Sequence, residues 1–179
     1  MHGQQLAIAA LVLAAAIGCS PGDDSPAQNS TATAKPPMPG FPDLDKFTEA
    51  PHETFYTHNV PRQQGFNFAA PDGLKCGNNG YPDVKFEALT CFGPRPEKGP
   101  GLWEFKVDAR DTGPATVEQL PASPDYAETD LPPRPALPAG QKITAPKGVS
   151  VCGVTPDGAT ACRLGDHGFI LTRSTATLF

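Results

Sequence analysis

The sequence lacks any apolar run long enough to cross a bilayer. Its longest run, residues 6–17, holds twelve residues, whereas a membrane-spanning helix needs about 20. An excess of basic residues is also missing, because the formal net charge is −5. Beyond residue 17, no window of eleven or more residues repeats its apolar positions with helical spacing. These absences argue against a membrane-spanning helix, a nucleic-acid partner and a helical bundle.

Motifs of common catalytic and metal sites are missing as well. No serine lies in a G-x-S-x-G or S-x-x-K pattern, and neither C-x-x-C nor H-E-x-x-H occurs. We therefore predict no cofactor and no metal site. Paired carboxylates cannot be located in the same way, because their separation is a property of the fold. A carboxylate-dependent cell-wall or carbohydrate hydrolase thus stays open as the alternative to a non-enzymatic protein.

The sequence does contain an export signal at its start. Residues 6–17 have the length of the apolar region of a signal peptide, and Gly18 precedes Cys19. This junction resembles a bacterial lipobox, which implies cleavage after residue 18 and lipidation of Cys19. It departs from that pattern at Ala16, where leucine is commonest, and residues 1–5 hold no Lys or Arg. An ordinary secretory signal with an incidental cysteine is the alternative.

The number of cysteines agrees with lipidation. Five cysteines cannot all pair, and acylation of Cys19 leaves an even set in an oxidising compartment: Cys76, Cys91, Cys152 and Cys162. Three connectivities are open to these four residues. The short spacing within each turn-rich segment favours Cys76–Cys91 and Cys152–Cys162. Each disulfide would contribute about 3 kcal/mol in the chain-entropy model.

The chain divides by composition into four parts. Residues 1–18 form the predicted signal helix, and residues 19–48 form a disordered tether that has too few large apolar side chains to fold. Residues 49–65 lead into a single all-β domain, residues 66–179. Residues 121–140 contain six prolines and predict a surface loop within that domain.

Alternating apolar and polar residues identify the strands of this domain. Trp103, Phe105 and Val107 alternate with charged residues, Phe66 and Phe68 share a face, and residues 84–89 alternate with Val84, Phe86 and Ala88 on one face. Turn-forming residues separate three further candidate strands, residues 149–154, 160–164 and 169–173. The pattern predicts a small antiparallel β-sandwich or barrel.

The last thirty residues contain the stretch that could be a site. Cys152 and Cys162 flank a Pro-Asp-Gly turn, as expected for a stapled hairpin. Asp166 and His167 follow and are our candidates for a surface site, although a tight turn before a closing strand is the simpler interpretation. Residues 145–153 also echo residues 70–77, which suggests two stapled hairpins of similar design.

The same stretch carries a family resemblance. Cys152, Cys162 and the Gly-Asp-His-Gly-Phe-Ile-Leu-Thr-Arg segment that follows resemble the C-terminus of an uncharacterised family of actinobacterial, mycobacterial-type secreted proteins with a GHGF.LSR motif. Residues 68–76 are similar to the family's F.SPSGNI.C opening, although one residue shorter. The proline-rich stretch lies where the family often has another cysteine pair. The resemblance implies an exported β-domain and no established activity.

Together these observations predict a lipoprotein on the outer face of the cell membrane, or a secreted protein if Cys19 is not acylated. We expect a non-enzymatic binding or structural module of the cell envelope. Its expected partners are the membrane, through the lipid on Cys19, and an envelope protein or cell-wall ligand. No nucleic-acid partner is expected.

Overall fold

The segment in which Trp103, Phe105 and Val107 alternate with charged residues forms one strand of a two-layered β-domain. The computed structural model describes residues 38–60, 63–122, 133–146 and 149–179, all of which belong to one compact unit, Pro36–Phe179. The predicted signal, Cys19 and most of the predicted tether lie outside the described residues. No helix within the described ranges is long and apolar enough to cross a membrane.

The described elements are almost all strands. In chain order they are β1 (Thr48–Glu49), α1 (His52–Phe55), β2 (Tyr56–Val60), β3 (Gln63–Ala69), β4 (Lys75–Asn78), β5 (Ala88–Arg95), β6 (Gly99–Asp108), β7 (Thr116–Gln119), β8 (Gln141–Thr144), β9 (Ser150–Val154), β10 (Thr160–Leu164), β11 (His167–Leu171) and β12 (Ala176–Leu178). Three short 3-10 turns accompany them: Leu44–Lys46, Val84–Phe86 and Pro96–Lys98. The predicted all-β class is confirmed.

The strands form two six-stranded sheets. The first sheet is a meander in the order β2-β3-β4-β5-β6-β7, and the second has the order β1-β8-β9-β10-β11-β12. Neighbouring strands are antiparallel except for β1, which lies parallel to β8. Phe105 of the first sheet packs on Phe169 of the second, with ring centroids 6.1 Å apart. The sheets therefore enclose a common core, as in a β-sandwich.

The two sheets repeat one design. Strands β3 to β7 and strands β8 to β12 each form a five-stranded antiparallel meander, with a disulfide between the second and third strands. The echo between residues 70–77 and 145–153 falls where each meander turns into its second strand. There the Ala70 amide donates to the Leu74 carbonyl, and the Ala145 amide donates to the Ser150 carbonyl, both at 2.8 Å.

Both predicted disulfides are present, and each joins residues that face each other across two strands. Cys76 lies opposite Cys91 in the β4–β5 register, and Cys152 lies opposite Cys162 in the β9–β10 register. All four cysteines are fully buried in the core. The prediction of two local disulfides is thus confirmed, and the thiols of these cysteines are used structurally.

The predicted alternation at residues 84–89 is wrong: its first half is not a strand, and in its second half Leu89 and not Ala88 lies on the buried face. Val84–Phe86 is a 3-10 turn with Val84 and Phe86 exposed, and Glu87 is only 2% exposed. The strand begins at Ala88, where Leu89 points into the core. The Asp83 carboxylate accepts a hydrogen bond from the Lys85 amide and starts the turn. Glu87 can be buried because other side chains supply donors to its carboxylate, as described below.

The packed structure begins before the predicted boundary at residue 48. Leu44 is 2% exposed and lies on the second sheet, on the face that points away from the core. Around it gather five further apolar residues: Phe41, Phe47, Val151, Ala161 and Ile170. Because this cluster buries Leu44 and partly buries Phe41 and Phe47, residues 41–47 belong to the domain and not to the tether.

The predicted loop over residues 121–140 lies partly outside the described residues, at 123–132. In its C-terminal part, Ala136 pairs with Ala69 of β3 in a parallel β-bridge, and the Leu137 side chain is buried. The Arg134 guanidinium donates to the Cys76 carbonyl at 2.9 Å and lies over the Phe92 ring. Burial lowers the pKa of Arg134. This end of the loop is therefore paired with the end of β3 through backbone hydrogen bonds, and Leu137 lies in the core.

Candidate functional site

Residues 79–87, between β4 and β5, form a loop that Asn79 holds in shape. The Asn79 side-chain amide donates to the Phe86 carbonyl at 2.8 Å, and its oxygen accepts from the Ala88 amide at 3.1 Å. The Asn79 backbone amide also donates to the Ala88 carbonyl. These three bonds join the two ends of the loop, so its conformation does not depend on a ligand.

Gly80 fixes this loop on strand β3. Its φ is +59°, and a Cβ atom at this position would overlap the backbone of Gln64 and Gly65. The Gln64 amide donates to the Gly80 carbonyl at 3.1 Å. Only glycine combines this close approach with a left-handed conformation. The next residue, Tyr81, is thereby placed beyond the end of β4, next to the start of β3.

The loop exposes large apolar side chains to solvent. Tyr81, Val84 and Phe86 are 44%, 38% and 41% exposed. The Tyr81 and Phe86 rings meet edge to face, with centroids 5.8 Å apart. Lys85 lies over the outer side of Phe86 and also pairs with Asp83 at 3.0 Å. A loop that is closed by hydrogen bonds yet keeps apolar groups in water is typical of an interaction site.

A second aromatic group lies on α1 and β2. The rings of His52 and Tyr56 stack in parallel, 4.0 Å apart and inclined by 9°. The Tyr56 hydroxyl donates to the Thr144 carbonyl of the second sheet. Burial, together with the nearby Glu49 carboxylate, raises the pKa of Tyr56 to about 12. The hydroxyl therefore stays protonated, and the stacked pair is held in place.

Tyr81 and the stacked His52 and Tyr56 line two adjoining concavities. One concavity adjoins α1 and the other adjoins the 79–87 loop, and both are lined by Gln64 and Pro146. We call the combined depression the Tyr81 cleft. Its described lining residues are His52, Glu53, Tyr56, Gln64, Asn78, Gly80, Tyr81, Pro82, Glu87, Ala145 and Pro146.

The floor of the Tyr81 cleft is a hydrogen-bonded polar group. The Glu87 carboxylate accepts from the Asn78 amide at 2.9 Å and from the Ser150 hydroxyl. Asn78 in turn accepts from the Phe66 amide at 2.8 Å. Ser150 is fully buried, so this group joins the first sheet to the second. A buried carboxylate with such partners keeps a fixed position.

The candidates Asp166 and His167 lie elsewhere, at the turn between β10 and β11. Gly165 has φ +61°, Asp166 is exposed, and His167 begins β11 opposite Leu164. Neither residue belongs to the described lining of the Tyr81 cleft. The structure thus places them in the tight turn before a strand, and a surface site at these residues stays a prediction.

Among the described residues, carboxylates also come together outside the cleft. Glu104 and Glu118 face each other on β6 and β7, and burial raises the pKa of Glu104. Asp72 and Glu97 both bind the guanidinium of Arg95. Because β6 turns Phe105 into the core, the neighbouring Glu104 is on the opposite, outer face of the sheet.

Among the residues that the structure describes, no three His, Cys, Asp or Glu side chains converge as metal ligands. No protein family, curated protein sequence or solved structure matches this chain. The resemblance to the actinobacterial family therefore stays a prediction.

Sequence reasoning did not identify the Tyr81 cleft, although the residues that form its loop have a recognisable sequence pattern. Asn79, Gly80 and Pro82 are turn formers that interrupt the strand pattern directly before Val84 and Phe86. Such a sequence indicates a loop, and apolar residues within a loop indicate exposure. The opposite wall has no comparable signal, because His52 and Tyr56 reach the cleft only through the pairing of β2 with β3.

Proposed function

We propose that the protein is an exported, membrane-anchored lipoprotein whose β-domain acts as a non-enzymatic binding module of the cell envelope. The observation that carries the binding function is the exposure of Tyr81 and Phe86 on a loop that Asn79 and Gly80 hold rigid. Exposed aromatic side chains in a preformed concave site lose little conformational entropy when a partner covers them.

The covalent framework supports export. Both domain disulfides join fully buried cysteines, and disulfides of this kind form and persist in oxidising compartments. With four cysteines used in this way, Cys19 is the remaining one, as a lipidation site requires. A multiply acylated Cys19 would hold the domain at the outer face of the membrane.

The carboxylate pairs give the hydrolase alternative no specific support. A glycosidase needs two acids on either side of a bound sugar. Glu104 and Glu118 project from the face of a sheet, and Asp72 and Glu97 are occupied by Arg95. In the Tyr81 cleft, the buried Glu87 is held by Asn78 and Ser150, and the other carboxylate, Glu53, is exposed.

Photo-crosslinking in the native cells tests the binding function. A photoreactive amino acid in place of Tyr81 is expected to trap a partner, because this side chain borders the cleft and is exposed. The same amino acid in place of Glu118, an exposed residue of β7, is the matched control and should trap none. Equal recovery from both positions, or no adduct from Tyr81, would contradict a binding function for the cleft.

A further inference from the structure

We propose that the Tyr81 cleft binds an extended peptide segment of a partner protein through a lysine or arginine side chain. This inference rests on the proposed binding function and specifies its partner. The basic side chain would lie along the aromatic rings and direct its charge to Glu87 at the floor of the cleft.

The charge of the cleft favours a cationic group. Its described lining holds two carboxylates, Glu53 and Glu87, and no Lys or Arg. Lys85 is close by on the loop, but its ammonium group pairs with Asp83 and lies over Phe86, which is not a lining residue. The carboxylates of the described lining are complementary in charge to a basic side chain.

Glu87 is suited to recognise that charge. Its side chain is 2% exposed, so bulk solvent screens its carboxylate less than it screens a surface acid. Asn78 and Ser150 fix the carboxylate before a ligand arrives. An acceptor that is already oriented need not reorganise on binding, which makes its interaction with a donor more favourable.

The aromatic groups suit the rest of a basic side chain. Tyr81 in one concavity and the stacked His52 and Tyr56 in the adjoining one offer ring faces and edges. The methylene groups of lysine or arginine pack against such rings while the charged end reaches a polar group. A cation over an aromatic ring gains further electrostatic stabilisation.

The form of the cleft favours an extended segment over a compact small molecule. Its two concavities adjoin along Gln64 and Pro146, so the depression continues from α1 to the 79–87 loop. Val84 and Phe86 prolong the apolar surface beyond the cleft on the loop side. An extended peptide can contact both concavities and this adjoining surface together.

The test is an NMR titration of the isotope-labelled, full mature chain with synthetic peptides. The probes are Gly-Pro-Lys-Pro-Gly, its arginine counterpart, and counterparts with uncharged norleucine or with glutamate at the centre. We expect the lysine and arginine peptides to shift the amide signals of Gln64, Gly80 and Tyr81. The norleucine peptide should bind about fivefold more weakly, and the glutamate peptide more weakly still.

Variants separate the cleft from general charge effects. Glu53→Gln and Tyr81→Ala change exposed side chains, so the fold should persist, and each is expected to weaken binding of the lysine peptide about threefold to fivefold. Glu118→Gln removes an exposed charge on β7, outside the cleft, and should leave binding unchanged.

Equal binding of the lysine and norleucine peptides would overturn the cationic specificity, and so would equal effects of Glu53→Gln and Glu118→Gln. Failure of every peptide to bind would overturn the peptide proposal. In either case, a partner trapped from Tyr81 in cells would still support the binding function, so the two proposals fail separately.

Discussion

Replacing Arg95 with methionine is expected to lower the free energy of unfolding by about 3–5 kcal/mol. Arg95 lies at the end of β5 and is 2% exposed. Its guanidinium binds Asp72 at 3.0 Å and also binds Glu97. It donates further to the carbonyls of Thr172 at 2.7 Å and Thr175 at 2.9 Å, in the turn between β11 and β12. One side chain thus joins the two sheets.

The large expected loss of stability follows from the groups that Arg95→Met leaves without a partner. Methionine would fill much of the space but would leave the Asp72 carboxylate buried without a cation. Burial already raises the pKa of Asp72, although the Leu74 amide and Arg95 act in the opposite direction. In the variant this pKa should rise further. A carboxyl group whose pKa is raised by folding destabilises the fold when it is ionised, so the deficit should be greatest at neutral pH and should shrink toward pH 4.

Urea unfolding of the Arg95→Met variant at pH 7 and at pH 4.5 measures this effect. Adding Asp72→Asn to the variant should recover at least about 1 kcal/mol, because it removes the more deeply buried of the two charges that lose Arg95, and the remaining carboxylate, Glu97, is partly exposed. Lys46→Met is the matched control, since it breaks an exposed pair with Asp43 and should leave the urea midpoint unchanged. An Arg95→Met protein as stable as the wild type would show that the buried charge network does not join the sheets.

Removing either disulfide is expected to lower the free energy of unfolding by about 3 kcal/mol. The cysteines of one pair are 15 residues apart and those of the other are 10 apart, so the two losses should be nearly equal in the chain-entropy model. The disulfides lie in different sheets. In the chain-entropy model the two effects add because the two closed loops do not overlap in sequence, so the variant without both disulfides should lose about 6 kcal/mol, a large part of the stability of a small domain.

The measurement compares Cys76→Ala/Cys91→Ala, Cys152→Ala/Cys162→Ala and the quadruple variant in urea. The wild-type protein under a reducing agent is the matched control, because it loses the covalent bonds while it keeps the cysteine side chains. It should unfold at nearly the urea concentration of the quadruple variant. A midpoint that the reducing agent does not change would mean that the disulfides contribute little to stability.

The sequence predicted the features that depend on near neighbours in the chain. The strand at Trp103, Phe105 and Val107 followed from alternation alone, because one face of that strand is buried. The two cysteine pairs followed from their separations, because each pair belongs to adjacent strands joined by a single connection. Such local constraints do not depend on which distant segments pack against these strands.

Features that depend on distant partners were not predictable. Glu87 has the sequence pattern of an exposed charge, but Ser150, which is 63 residues away, supplies a donor that permits its burial. Arg95 finds its carbonyl partners 77 and 80 residues further along the chain. The Tyr81 cleft combines α1, the 79–87 loop and Pro146 in the same way. A single sequence without pairing information gives no means of bringing these residues together.

The proposed export to the outer face of the membrane would account for the disulfides, and the proposed binding function in the cell envelope depends on it. Intact-mass analysis of the protein from the membrane fraction, without reduction, tests this claim most directly. We predict a chain that begins at Cys19, carries a diacylglyceryl adduct and lacks the thiol hydrogens of Cys76, Cys91, Cys152 and Cys162. A mature N-terminus without lipid would contradict lipidation. A chain that keeps residues 1–18 and four free thiols would contradict export itself.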